Sequence, residues 1–135
     1  MKCLIVEDNR QDYQLLSRML MNYGDSDFAE NGQDAFEIFK QARAAEEPYD
    51  VIFLDIMMPG MDGNEVLRKI REWEKSNLGN GKPVQIVMAS SKSDTDTIIT
   101  SYDDGCQHFF MKPYDKNDLV LLMEKMGFEK TSQSP

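Results

Sequence analysis

Short apolar runs alternate with longer amphipathic segments along most of the chain, and this alternation constrains the fold more than any other feature. Runs such as VIFL and IVMA contain no polar residue, so each predicts a strand that is buried on both faces. The longer segments place apolar residues three or four positions apart, which is the spacing of one helix face. Strands and helices in alternation predict a parallel sheet with helices on both faces. The expected fold class is therefore α/β.

The pattern predicts five strands and five helices. The predicted strands are residues 2–6, 27–30, 50–55, 84–89 and 107–111. The predicted helices are residues 10–23, 32–47, 63–76, 93–105 and 115–126, of which the fourth is polar and weak. The last helix begins at Asp115, where the segment DKND resembles an acidic capping box.

Length, charge and cysteine content narrow the class of protein. A chain of 135 residues can bury a core as one domain, which we expect at residues 1–128, before a disordered tail at residues 129–135. The formal net charge of −9 disfavours direct binding to nucleic acid, because phosphates repel an acidic surface. No apolar run approaches the ~18 residues of a membrane span, so a cytoplasmic protein is expected. Cys3, Cys106 and the single His108 lack zinc-site spacing, and both thiols are expected to be free.

Polar residues follow four of the five predicted strands at the point where each strand ends. They are Glu7 and Asp8, Asp55, Ser90 and Ser91, and Lys112. Because ligands bind beyond the carboxyl ends of strands in open α/β sheets, these side chains are expected to meet. Three clustered acids repel one another unless a cation intervenes, and Mg²⁺ prefers oxygen ligands of this kind. With a hydroxyl and an ammonium nearby, the set suits a phosphoryl group, with Asp55 as the nucleophile that forms an aspartyl-phosphate.

These features resemble those of receiver domains in two-component signalling, which have the CheY-like fold. The matching segments are LIVEDN (4–9), AENGQDA (29–35), DVIFLDIMMPGMDG (50–63), VMASS (87–91) and FMKPYD (110–115). They follow one another in the family's order and extend from residue 4 to residue 115 of the 135. The resemblance implies a flavodoxin-like sheet with strand order 2-1-3-4-5.

The resemblance also implies roles at the acidic end of the site. Glu7 and Asp8 would form the acidic pair for Mg²⁺, with Asp8 as a direct ligand. Asp55 would be the phosphoacceptor and a further metal ligand, and the backbone carbonyl of Met57 would complete the metal shell. Met57 and Lys92 would flank the path of the hydrolytic water and tune the rate of dephosphorylation.

The resemblance implies further roles for residues in or just after the last two predicted strands. Ser90 would donate a hydrogen bond to one phosphoryl oxygen, and Lys112 would pair with another. Phe109 matches the aromatic residue that reorients on activation, although it has no hydroxyl with which to form a hydrogen bond. The Lys112–Pro113 peptide bond is expected to be cis, an isomer that X-Pro bonds tolerate.

The function expected from the resemblance is a phosphorylation-controlled switch. A sensor histidine kinase or a phosphotransfer protein would donate the phosphoryl group, which would reshape the face formed by the fourth helix, fifth strand and fifth helix. A domain that ends near residue 128 leaves no room for an output domain, so a downstream protein is expected to bind this face unless the chain is a fragment of a longer regulator. The fifth helix lacks the arginines of dimerising DNA-binding regulators, which favours a monomer. The alternative is a receiver-fold module that binds proteins without being phosphorylated.

Overall fold

Five parallel strands form a single sheet with helices on both faces. The computed structural model describes residues 1–58, 60–79, 81–91 and 105–130. The strands are β1 (Lys2–Val6), β2 (Asp25–Ala29), β3 (Val51–Asp55), β4 (Gln85–Ser90) and β5 (His108–Met111). The helices are α1 (Arg10–Leu20), α2 (Gly32–Ala44), α3 (Gly63–Asn77) and α4 (Lys116–Met126). All pairings are parallel, and the strand order β2-β1-β3-β4-β5 confirms the predicted fold class.

Some of the predicted elements differ from the structure or lie outside it. The fourth predicted helix, at residues 93–105, lies outside the described residues except at Gly105, and so do residues 131–135 of the predicted tail. Strand β2 begins two residues earlier than predicted, at Asp25, where it pairs with Lys2 of β1. Helix α2 ends at Ala44, earlier than predicted, and Glu46 has a positive φ of 61° that stops the helix before Pro48.

Alternate residues of the central strands pack into two hydrophobic cores. Leu4 and Leu54 face the core beneath α2 and α3, whereas Ile5 and Phe53 face the core beneath α1 and α4. This division follows from the period of two in a strand, which sends neighbouring side chains to opposite faces. All five residues of β3 are buried, so the site beyond it rests on a fully packed strand.

Each of the four described helices begins with a side-chain cap. The caps Asn9, Asn31, Asp62 and Asp115 each accept a hydrogen bond from the backbone N–H three residues further on. The predicted helix start at Asp115 is thus confirmed. Both cysteines are buried and no disulfide joins them, as expected. Within the described part of the chain, no helix has the length and apolar character needed to cross a membrane.

Candidate functional site

Backbone hydrogen bonds continue just beyond the strand ends and fix the positions of the predicted site residues. The amide of Glu7 donates to Ala29 at 3.1 Å, and the amide of Lys112 donates to the carbonyl of Ser90 at 2.7 Å. Asp55 is the last residue of β3 and lies opposite Ala89 of β4. The strand ends therefore bring Glu7, Asp55 and Lys112 to one edge of the sheet.

Three acids at this edge form a compact set of oxygen donors. One carboxylate oxygen from each of Glu7, Asp8 and Asp55 lies within 4.8 Å of the other two. Glu7 and Asp55 are almost fully buried, with 2% and 5% of their surface exposed, whereas Asp8 is exposed. A hard divalent cation takes oxygen ligands and keeps several waters. The donor set, with one side open to solvent, fits such a cation.

The ammonium of Lys112 lies among three carboxylates. Its Nζ is 3.0 Å from Glu7 Oε1, 3.2 Å from Asp12 Oδ2 and 3.4 Å from Asp55 Oδ2. Burial alone lowers the pKa of Lys112, but the charges of Asp55 and Glu7 outweigh burial and raise its pKa above the ordinary value. Lys112 is therefore charged at neutral pH and neutralises part of the acidic cluster.

The two buried acids bind protons more tightly than exposed carboxyls do. Burial, followed by the hydrogen bond and charge of Asp55, raises the pKa of Glu7 to about 7, and Lys112 only partly opposes this shift. Burial also raises the pKa of Asp55 above its ordinary value, against the lowering effects of Glu7, Lys112 and the amide of Met57. Without a bound cation, the site thus holds more negative charge than its surroundings stabilise.

Gly63 allows helix α3 to start directly against the strand that carries Asp55. Its amide donates to the carbonyl of Ile56 at 3.0 Å. A Cβ atom at position 63 would lie 2.4 Å from the carbonyl oxygen of Asp55 and 2.9 Å from Cα of Ile56. Only glycine permits this approach, which keeps the turn after Asp55 short.

The structure also describes Ser90, Phe109 and the Lys112–Pro113 peptide bond, which the sequence predicted to take part in the site. The hydroxyl of Ser90 is buried and donates to Sδ of Met111, its partner in the β4–β5 register, at 3.5 Å. Phe109 is half-buried and packs against the core beneath α2 and α3. The Lys112–Pro113 peptide bond is cis.

Met57 and Lys92 were predicted to tune the rate of dephosphorylation. The side chain of Met57 is exposed, and its amide donates to Asp55 Oδ1 at 3.3 Å. Lys92 lies outside the described residues.

Two residues that the sequence reasoning missed also contact the site. Asp12, in the first turn of α1, pairs with Lys112. Tyr114 is buried, stacks on Phe110 at a centroid distance of 4.9 Å, and directs its hydroxyl to Glu7 Oε1 at 3.5 Å. The signal for Asp12 is an acidic residue in the first turn of the helix that directly follows Glu7 and Asp8. No comparable signal marks Tyr114.

The family model of the response regulator receiver domain matches residues 3–124. This chain belongs to that family. Receiver domains are signalling domains of two-component systems, and the curated relatives of this one include a histidine kinase and a transcriptional regulatory protein. Hybrid signal transduction histidine kinase L of Dictyostelium discoideum is 36% identical over 135 residues, which cover 98% of this chain and 8% of that protein. Transcriptional regulatory protein ResD of Bacillus subtilis is 34% identical over 127 residues, which cover 93% of this chain and 47% of that protein. This receiver domain therefore spans less than half the length of either relative.

Solved structures show the same fold. The receiver domain of Ssk1, co-crystallised with the histidine phosphotransfer signaling protein Ypd1 of Saccharomyces cerevisiae, has a TM-score of 0.82 and 28% identity, covering 94% of this chain and 88% of that one. Chemotaxis protein CheY4 of Vibrio cholerae has a TM-score of 0.76 and 24% identity, covering 93% of this chain and 97% of that one. The CheY-like fold predicted from the sequence is thus confirmed.

Proposed function

We propose that this receiver domain, at residues 1–128, accepts a phosphoryl group on Asp55 in the presence of Mg²⁺. The observation that carries the proposal is the placement of Asp55, a nearly buried carboxylate whose Oδ2 lies 3.4 Å from the ammonium of Lys112. The oxygens of Glu7 and Asp8 lie within 4.8 Å of that carboxylate. A nucleophile beside a cation site and a fixed ammonium provides the positioning and charge neutralisation on which phosphoryl transfer depends.

The metal would be held by the carboxylates of Glu7, Asp8 and Asp55 and by the backbone carbonyl of Met57. Bound Mg²⁺ supplies positive charge that neutralises phosphoryl oxygens as charge develops on them. Oxygen-only donors and the exposure of Asp8 favour a hard cation that retains waters.

The expected donor is the phosphohistidine of a sensor histidine kinase or a phosphotransfer protein. A carboxylate oxygen of Asp55 attacks phosphorus, and a P–O bond forms as the P–N bond breaks, leaving the electron pair on the imidazole nitrogen. Lys112 pairs with a phosphoryl oxygen during this step. Later attack by water releases inorganic phosphate and restores the carboxylate. The complex formed by the Ssk1 receiver domain and Ypd1 supports a partner of the phosphotransfer class.

The transferred group is expected to act as a switch. The hydroxyl of Ser90 would leave Sδ of Met111 and donate to a phosphoryl oxygen, and the half-buried ring of Phe109 would repack. This local change would reshape the face that includes β5 and α4, together with the predicted fourth helix. A downstream protein would bind that face. We also propose that the domain acts in the cytoplasm, as a monomer, and does not contact nucleic acid.

Mass spectrometry of the intact protein tests the assignment. After incubation with acetyl phosphate and Mg²⁺, the wild-type protein should gain one phosphoryl group, and chelation of the metal should prevent the gain. Asp55→Asn should gain none, whereas the control Asp25→Asn, which changes an exposed acid on the edge strand β2, should match the wild type. A phosphoryl adduct on Asp55→Asn would remove this residue from its role. An unmodified wild-type protein would favour the phosphorylation-independent binding module.

A further inference from the structure

Asp12 contacts the proposed phosphorylation site from outside the strand ends. It lies in the first turn of α1, where its backbone N–H donates to the side chain of the cap Asn9 at 3.0 Å. Its Oδ2 lies 3.2 Å from Nζ of Lys112, a shorter distance than the 3.4 Å from that ammonium to Asp55. The side chain of Asp12 is 35% exposed, whereas that of Asp55 is 7% exposed. Asp12 is thus a partly exposed acid that forms an ion pair with Lys112 at the centre of the site.

The ammonium of Lys112 has as many carboxylate neighbours as it has hydrogen-bond donors. A lysine ammonium has three N–H groups, and Glu7, Asp12 and Asp55 each place one oxygen within 3.4 Å of it. During transfer, Asp55 still carries negative charge while the incoming phosphoryl oxygens need a donor. The contact between one carboxylate and the ammonium of Lys112 must therefore break or lengthen before a phosphoryl oxygen can bind to that ammonium.

Asp12 is the carboxylate that can be released at the lowest free-energy cost. Water can rehydrate its partly exposed carboxylate once the ammonium moves away, and partly exposed ion pairs contribute little. Glu7 is 3% exposed at the side chain, so separation from Lys112 would take a close partner from a carboxylate that water cannot reach.

We propose that Asp12 is a positioning residue that holds Lys112 in the unphosphorylated domain and competes with the phosphoryl group for its ammonium. This inference rests on the proposed phosphorylation of Asp55. Asp12 would slow acceptance of the phosphoryl group, because the Asp12–Lys112 pair must separate or lengthen before Lys112 can pair with a phosphoryl oxygen.

Helix α2 provides a matched control for a purely structural role of Asp12. Asp34 occupies the equivalent place in the first turn of α2, and its N–H donates to the cap Asn31 at 2.9 Å. Both acids complement the positive end of a helix dipole. Asp12→Asn and Asp34→Asn remove the same charge from the same helical position, but only the first removes a contact with Lys112.

The ion pair itself can be tested without phosphorylation. In Mg²⁺-free protein, acetic anhydride acetylates unprotonated amines, and peptide mass spectrometry reports the rate at Lys112. Asp12→Asn removes one of the three carboxylates that hold the amine in the site, so it should raise this rate at least about twofold, the lower range for a partly exposed pair. Asp34→Asn should leave it unchanged. Equal rates at Lys112 in Asp12→Asn and the wild type would overturn the proposal.

Phosphorylation kinetics then test the competition. With saturating Mg²⁺, Asp12→Asn should raise the maximal rate of phosphorylation by acetyl phosphate about two- to fivefold, and Asp34→Asn should match the wild type. A change only in the donor concentration at half-maximal rate would reflect weaker repulsion of the anionic donor, and it would overturn the competition. So would a lower maximal rate in Asp12→Asn, or an equal change in both variants. If the wild-type protein accepts no phosphoryl group, the proposed function fails as well, while the acetylation rates still report the Asp12–Lys112 pair.

Discussion

The acidic site is expected to lower the stability of the metal-free protein, and Glu7→Gln should therefore stabilise it. The Glu7 side chain is 3% exposed and lies beside Asp55, so its ionisation is opposed by burial and by like charge. Glutamine has nearly the same shape, accepts a hydrogen bond from Lys112, and can donate one to Asp55. The substitution thus removes the charge with little change in packing.

The size of the stability change follows from the pKa of Glu7, which rises from 4.5 to about 7 on folding. Because the folded-state pKa is the higher one, the folded protein binds more protons between these values, and its stability falls as pH rises through this range. At about pH 7.5, ionised Glu7 should lower the free energy of unfolding by about 2 to 3 kcal/mol. At about pH 5 the folded protein keeps the proton, and the effect should shrink to about 1 kcal/mol. Glu7→Gln should recover these amounts.

Urea unfolding in the presence of a chelator measures the difference in the free energy of unfolding between Glu7→Gln and the wild type at each pH. The control is Glu37→Gln, which neutralises an exposed acid that pairs with Lys40 on the surface of α2 and should change stability by less than about 0.5 kcal/mol. Added Mg²⁺ should stabilise the wild type more than Glu7→Gln, because binding to the folded state favours it in proportion to affinity. A Glu7→Gln protein that is less stable than the wild type at both pH values, or a gain that does not depend on pH, would refute this reasoning.

Two of the three further predictions concern helix α3, and the third concerns the metal. Glu74→Ala should lower the free energy of unfolding by about 3 to 5 kcal/mol in urea, because it removes a buried carboxylate that pairs with Arg71 at 2.6 Å and accepts a hydrogen bond from the amide of Val84 at 2.8 Å; a loss below about 1 kcal/mol would contradict this reasoning. Gly63→Ala should lower stability by about 1 to 3 kcal/mol in thermal unfolding, because the new Cβ would collide with the carbonyl oxygen of Asp55; an unchanged protein would show that the turn can relax. Mg²⁺ affinity, measured by calorimetry, should weaken as pH falls below about 7, where Glu7 gains a proton that the metal must displace; constant affinity from pH 8 to pH 6 would count against Glu7 as a metal-binding residue.

The sequence predicts the central strands well because they are buried on both faces. Every residue of β3 is buried, and its first four residues stand out as an unbroken apolar run. Strand β2 lies at the edge of the sheet, and its first residues, Asp25 and Ser26, are polar. Its pairing with β1 is a tertiary contact that no local pattern reveals, which explains why its start was placed two residues late.

The strand-end rule identifies Glu7, Asp55 and Lys112 because parallel strands deliver their last residues to one edge. The rule misses Asp12, which reaches the same ammonium from a helix. The orientation of the Ser90 side chain cannot be predicted from the sequence either. Its hydroxyl bonds to Sδ of Met111, and that partner follows from the β4–β5 register rather than from any motif.

The central claim is that Asp55 forms an acyl phosphate, and reductive trapping tests it most directly. The protein is mixed with Mg²⁺ and a phosphorylated histidine phosphotransfer domain, treated with borohydride, and digested for peptide mass spectrometry. Borohydride reduces an acyl phosphate to an alcohol, so Asp55 should be recovered as homoserine only when both donor and metal are present. Recovery of unmodified Asp55 together with homoserine at another aspartate, such as Asp8, would contradict the account.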